Sequence, residues 1–231
     1  MTLELARYPA YVVPTLVFPS VFFLFFALPG DASVATERMA TFAGFAAIGV
    51  AFFQFGVGIA VERASPWEAY LRTLPIGVAA RLGARVLSAA LFAAVAAGGV
   101  LAVAVATTDA SLTPLRWLGL GVALLVGTVP FALLGIALGY WVPERGALPI
   151  ANLLYLSLAY AGGLWIRPDD LPSGVQNLSR FLPTRGLSDA LVATLQPALA
   201  WRSWLALLGF GALFGLLAVW GYRRDEGRRF R

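Results

Sequence analysis

The chain has 231 residues, of which 60% are hydrophobic and 13% charged, with a mean hydropathy of +0.80 and a formal net charge of +5. This composition excludes a water-soluble domain, because soluble domains carry about 25% charged residues. The chain contains no cysteine, histidine or lysine, which excludes disulfides, histidine-based catalytic or metal sites and a Walker A loop. We expect neither enzymatic chemistry nor a cofactor or metal in the chain itself.

Six apolar stretches follow one another, each close to the roughly 20 residues that a helix needs to cross the hydrocarbon core. They cover approximately residues 11–28, 42–61, 87–106, 117–141, 148–166 and 204–222. None alternates apolar and polar residues, so a transmembrane β-barrel is excluded. The sequence predicts an all-α integral membrane protein with six transmembrane helices in one domain, residues 1–231. A signal peptide is the minor alternative for the first stretch.

Arginine supplies all the basic residues and indicates the orientation. If the N-terminus is inside, eleven of the 17 arginines lie in cytoplasmic segments, as the positive-inside rule requires. We therefore predict a multi-pass protein of the cell (plasma) membrane with both termini cytoplasmic. The arginine-rich residues 223–231 are expected to bind anionic membrane lipids. Nucleic acid is not an expected partner, because no soluble domain is present to dock it.

The predicted cytoplasmic loop between the second and third spans, residues 62–75, carries the most specific pattern. Ser65 can cap a short helix that begins at Pro66. Aromatic and leucine side chains then form an apolar face, flanked by arginines: Trp67, Tyr70, Leu71 and Leu74, with Arg63 and Arg72. Such a helix either docks a partner protein or lies on lipid with its aromatic residues in the membrane interface.

This loop resembles the coupling helix of ABC-2 type exporter permeases. The residues that match are Glu62, Arg63, Glu68, Leu71 and Pro75. The glycine usual in that family is replaced here by Ser65-Pro66, and the resemblance extends along the whole chain. It implies that the loop, including Trp67 and Arg72, sits in a cleft of a separate ATPase subunit.

Residues 167–203, between the fifth and sixth spans, are predicted to form two short external amphipathic helices. Pro172, Val175, Leu178 and Phe181 define the first, and Leu187, Leu191 and Leu195 the second. In the family that the chain resembles, such helices dip into the outer leaflet as a lid over the exit. The alternative is a pair of helices that rest on the membrane surface.

Four further polar residues are candidate site residues. Glu144 and Arg145 lie in the short cytoplasmic turn between the fourth and fifth spans, where they either contact the ATPase or act as solvated anchors. Gln54 and Asn152 lie inside spans and are weak candidates for substrate binding. Their alternative role is an interhelical hydrogen bond, worth about 0.6 kcal/mol on average.

Two small-xxx-small motifs lie in the fourth and sixth spans, at Gly135 and Gly139 and at Gly211 and Gly215. Glycines at this spacing let two helices approach closely. The sequence leaves open whether they pack within one chain or between two chains.

The resemblance implies a permease that works as a homodimer with two ABC ATPase subunits, which bind ATP and magnesium. In the family that the chain resembles, substrates are typically amphiphilic: drugs, lipids, glycans or peptides. Because the spans hold no charge away from their ends, we expect a hydrophobic or amphiphilic substrate here as well. The alternatives are a membrane scaffold or assembly factor that transports nothing, and a facilitator that is not coupled to ATP.

Overall fold

The computed structural model describes residues 9–27, 34–63, 65–66, 70, 75, 77–196 and 200–229. In these ranges the chain is helical, and no strand is present. The α-helices are α1 (Pro9–Phe26), α2 (Ala35–Val50), α3 (Gly58–Glu62), α4 (Val78–Thr107), α5 (Pro114–Trp141), α6 (Glu144–Ala161), α7 (Ser173–Ser179), α8 (Pro183–Ala193) and α9 (Trp201–Arg229). A π-helical segment, Ala51–Val57, joins α2 to α3, and a short 3₁₀ helix, Pro168–Asp170, precedes α7.

Within the described ranges, four helical stretches are long and apolar enough to cross a membrane: Ala35–Glu62, Ala79–Thr107, Pro114–Trp141 and Trp201–Glu226. They coincide with the second, third, fourth and sixth predicted spans. The first and fifth predicted spans correspond to α1 and α6, which have 18 residues each and are not among these four, so the six-span topology stays a prediction.

The four long stretches occupy different depths in the bundle. Other parts of the chain bury 78% of the most apolar window of Ala35–Glu62 and 61% of that of α5. The corresponding values are only 33% for α4 and 22% for α9. The stretch from α2 to α3 and helix α5 therefore form the centre, and α4 and α9 present broad apolar faces to the surroundings.

Two long helices extend beyond their apolar runs. Helix α4 begins at Val78, although the apolar run begins at Leu87, and α9 continues to Arg229 beyond Tyr222. The apolar runs end at the arginines in these extensions. The helices continue, because alanine and arginine are both good helix formers. The helices therefore carry charged residues out of the apolar layer.

Helix α6 ends earlier than its apolar run predicts. The run continues to Ile166, but the helix stops at Ala161 because Gly163 adopts φ +82°, in the left-handed region. The amide of Leu164 donates to the carbonyl of Ala159 (3.0 Å) and the amide of Gly163 donates to the carbonyl of Tyr160 (3.2 Å). These two bonds form a Schellman motif, which turns the chain away from the helix axis.

The first glycine motif packs inside the chain, against the π-helical segment. A Cβ at Gly135 would meet the carbonyl of Ala51, with its carbon at 2.9 Å, and a Cβ at Gly139 would lie 2.6 Å from Cβ of Ile59. The absence of side chains on this face of α5 brings two backbones together at the centre of the bundle.

The second glycine motif packs inside the chain as well. A Cβ at Gly211 would lie 3.6 Å from Cγ of Pro130, and a Cβ at Gly215 would lie 3.7 Å from Cδ1 of Leu133. Helix α9 therefore lies along α5, on the side of α5 that carries its internal proline.

Helix α8, the second predicted external helix, is embedded in the bundle. Leu187 and Leu191 are completely buried, and the polar Thr184 and Ser188 are also buried. Cδ1 of Leu187 would lie 2.6 Å from a Cβ at Gly127, and Cδ1 of Leu191 would lie 2.5 Å from a Cβ at Gly44. The helix therefore inserts between α2 and α5. It does not rest on the surface of the bundle. Helix α7, in contrast, leaves Leu178 exposed.

Candidate functional site

The predicted coupling residues fall at the end of α3 and in the loop that follows it. Glu62 is the last residue of α3, the backbone is helical at Pro66 and at Tyr70, and Pro75 is exposed. Four of the nine predicted coupling residues, Trp67, Glu68, Leu71 and Arg72, lie outside the residues that the structure describes.

Glu62 forms an ion pair with helix α4. Its Oε2 lies 3.9 Å from Nη2 of Arg85, whose side chain is only 12% exposed, while the Glu62 side chain is 42% exposed. The pair joins the two helices that flank the loop, 62–75, and leaves part of the Glu62 carboxylate accessible.

Arg63 contacts two other helices of its own chain. Its Nη1 donates to the carbonyl of Tyr140 at 2.8 Å, and its Nη2 donates to the carbonyl of Val142 at 3.0 Å. The Tyr140 carbonyl is one of the last four of α5, which have no partner within the helix, and a cation at a helix C-terminus also opposes the negative end of the helix dipole. Nη1 further lies 3.6 Å from Oδ1 of Asp225 on α9.

Aromatic contacts hold α5 and α9 together at this same end, which we call the Arg63 end of the bundle. The rings of Tyr140 and Tyr222 meet edge to face, with 5.5 Å between their centroids. Nε1 of Trp141 donates to the carbonyl of Leu217 at 3.0 Å, and the guanidinium of Arg224 lies 4.7 Å from the Trp141 ring centre. The last turns of α5 and α9 thus form one packed unit that Arg63 contacts.

Glu144 and Arg145 are also at the Arg63 end. They begin α6 two residues after Val142, whose carbonyl accepts a hydrogen bond from Arg63, and both side chains are exposed. The structure therefore brings the second predicted contact turn beside the end of α3.

Asn152 lines a cavity of about 400 Å³ between α1, α2 and α6. The other lining residues are mainly aromatic and aliphatic: Phe18, Pro19, Gly49, Phe53, Tyr155 and Leu156. A cavity of this size and composition can hold the apolar part of a small molecule, since ligand pockets are mostly apolar with a few polar groups that fix orientation. The amide of Asn152 is such a group.

Tyr155 is a cavity residue that the sequence reasoning missed. Its hydroxyl donates to the carbonyl of Phe45 at 3.2 Å, and its ring stacks on that of Phe45 with 4.6 Å between centroids. Gly49 makes room for the phenol, because a Cβ there would lie 2.9 Å from Oη. The signal available in the sequence was a tyrosine in an otherwise apolar run, three residues after Asn152.

Gln54 is not among the residues that line this cavity. It lies in the π-helical segment, is 8% exposed, and its Nε2 has no hydrogen-bond partner within the described part of the chain. The structure therefore separates the two polar residues that the sequence suggested for substrate binding.

Comparison with known proteins covers nearly the whole chain. A family model described as "ABC-2 family transporter protein" matches residues 33–220. The protein named "Putative transport permease YvfS" from Bacillus subtilis (strain 168) is 25% identical over 225 residues, which are 94% of this chain and 91% of that protein. The chain therefore belongs to the ABC-2 family of transporter proteins. It is a multi-pass transporter permease subunit, in a family that generally works with an ABC ATPase subunit.

Proposed function

We propose that the chain is the permease of an ATP-driven exporter for hydrophobic or amphiphilic molecules. The observation that carries the substrate class is the cavity of about 400 Å³ with its aromatic and aliphatic lining. Phe18 and Phe53 offer apolar contacts, Asn152 offers a hydrogen-bonding amide, and none of the described lining residues carries a charge. Drugs, lipids, glycans with a lipid part and apolar peptides fit this chemistry.

In this proposal the loop 62–75 docks in the ATPase subunit, which binds ATP and magnesium. Glu68 and the exposed Glu144 and Arg145 supply charged contacts beside the apolar face of the loop. The ion pair between Glu62 and Arg85 supports the proposal, since a push on the loop would reach the start of α4 directly. ATP can favour one conformation of the permease only to the extent that the ATPase binds the two conformations differently.

The proposed assembly is a homodimer of permease chains in the plasma membrane, with both termini cytoplasmic. The distribution of arginine supports this orientation, because Arg63, Arg85, Arg145 and the arginines that end α9 belong to the Arg63 end. Membrane lipids contact the exposed apolar faces of α4 and α9, and anionic headgroups bind the arginines after Tyr222.

The test is transport in liposomes. The permease is reconstituted with the ATPase that co-purifies with it, and uptake of an amphiphilic fluorescent dye into inside-out vesicles is measured with and without ATP. We expect uptake only with ATP. Uptake without ATP would indicate a facilitator, and no uptake of amphiphiles of several classes would favour a scaffold.

An Asn152→Leu variant tests the cavity in the same assay. The variant loses one hydrogen bond of about 1 kcal/mol. For a dye that hydrogen-bonds to the amide, we therefore expect a KM about fivefold higher than that of the wild type. The matched control is Asn177→Leu, an exposed position on α7. Equal KM values for both variants and the wild type would contradict the assignment of the cavity.

A further inference from the structure

The C-terminal turns of α9 lie at the junction of three helices. Tyr222 is buried, and a Cβ at Gly221 would lie 2.9 Å from Cβ of Tyr140 and 2.7 Å from Nε1 of Trp141. The last turn of the apolar run of α9 is therefore fitted against the end of α5.

Asp225 extends this junction to the start of the loop, 62–75. Its carboxylate lies 3.6 Å from the guanidinium of Arg63, and the two side chains are only 13% and 19% exposed. Because water is largely excluded, salt screens this pair less than it screens a surface ion pair. The same guanidinium holds the carbonyls of Tyr140 and Val142, so one side chain contacts the ends of both α5 and α9.

Arg63 is also firmly attached to α3. Its amide donates to the carbonyl of Ile59 at 3.0 Å, which makes it the residue at which the helix ends and the loop begins. A displacement of the loop would therefore act on α5 through two hydrogen bonds and on α9 through the charge pair.

We propose that Asp225 is a positioning residue for energy coupling: through Arg63 it holds α9 and α5 to the loop 62–75, so that the three move together when the ATPase acts. This inference rests on the proposed function and adds the C-terminal segment to the coupling region. Arg63 then acts mainly inside its own chain, and the residues farther along the loop face the ATPase.

The test measures transport and ATP hydrolysis in the same liposomes. The variants are Asp225→Asn, which removes the charge, and Asp225→Glu, which keeps it. Glu226→Gln is the matched control, an adjacent carboxylate on α9. We expect Asp225→Asn to retain its ATPase partner and to lose at least about fivefold in dye transported per ATP, the lower end of typical coupling factors. Asp225→Glu and Glu226→Gln should stay near the wild-type ratio.

Three outcomes would overturn the inference. A purely structural role for the pair predicts lower thermal stability of Asp225→Asn in detergent with an unchanged ratio of transport to hydrolysis. An equal loss in Glu226→Gln would show that any negative charge on this turn has the same effect. If the wild type transports without ATP, the proposed function is overturned as well. If the wild type needs ATP and Asp225→Asn transports as much dye per ATP as the wild type, only the coupling role is overturned.

Discussion

Replacement of Gly135 by alanine should destabilise the bundle at its centre. The added methyl group would point at the carbonyl of Ala51, 2.9 Å from its carbon and 3.5 Å from the amide nitrogen of Gly56. All three atoms belong to the backbone, so no side-chain rotation can relieve the clash and the two helices must separate. Overpacking costs about 1 to 3 kcal/mol. The better helix propensity of alanine raises the free energy of unfolding by less than about 1 kcal/mol.

The measurement is thermal unfolding of the purified chain in detergent, followed by tryptophan fluorescence. Gly121→Ala in the same helix is the matched control, because nothing lies within 4 Å of the Cβ position at Gly121. We expect Gly135→Ala to unfold at a lower temperature than wild type and Gly121→Ala to unfold at the same or a slightly higher temperature. Equal stability of the two variants would refute the close packing of α5 against the π-helical segment.

Two further substitutions test the packing at two other places in the bundle. Leu187→Ala should lower the free energy of unfolding by about 2 to 5 kcal/mol, because it leaves a cavity where α8 is embedded; an equal effect of Leu178→Ala, at an exposed site on α7, would contradict this. Trp141→Phe should lower the free energy of unfolding by about 1 kcal/mol, because it loses the hydrogen bond to Leu217. Trp201→Phe, at an exposed site, is the control. An unchanged unfolding temperature for Trp141→Phe would show that this bond adds nothing.

The helical character could be predicted from the sequence, because a membrane helix satisfies the backbone hydrogen bonds of a long apolar run that lacks alternation. The family could be predicted from the resemblance of the loop 62–75 to a known coupling helix. The ends of the helices could not. The Schellman turn at Gly163 ends α6 inside an apolar run, and α4 continues through Arg81 and Arg85 where hydropathy is low. The local geometry of Gly163 decides where α6 ends. Helix propensity together with ion pairing favours the continuation of α4.

The environment of the candidate site was largely beyond sequence reasoning. The contacts of Arg63 with Tyr140, Val142 and Asp225 join residues far apart in the chain, and no local pattern indicates them. The packing of α8 between α2 and α5 could not be predicted either, because its leucine spacing is the same for a helix that dips into the leaflet, rests on the surface or is inserted between glycines. The docking roles of Glu68 and of the other residues of the loop remain predictions.

The central claim is that a separate ATPase drives this permease through the loop 62–75. The most direct measurement is to purify the tagged chain gently from its native membrane and to identify stoichiometric partners by mass spectrometry. Glu68→Lys is the informative variant, because reversal of Glu62 would also break the ion pair with Arg85. Glu226→Lys is the control.

The account predicts that a protein with a Walker A motif is recovered with the wild type and with Glu226→Lys and is lost with Glu68→Lys. Recovery of the chain without such a protein, or equal recovery with all three forms, would contradict it.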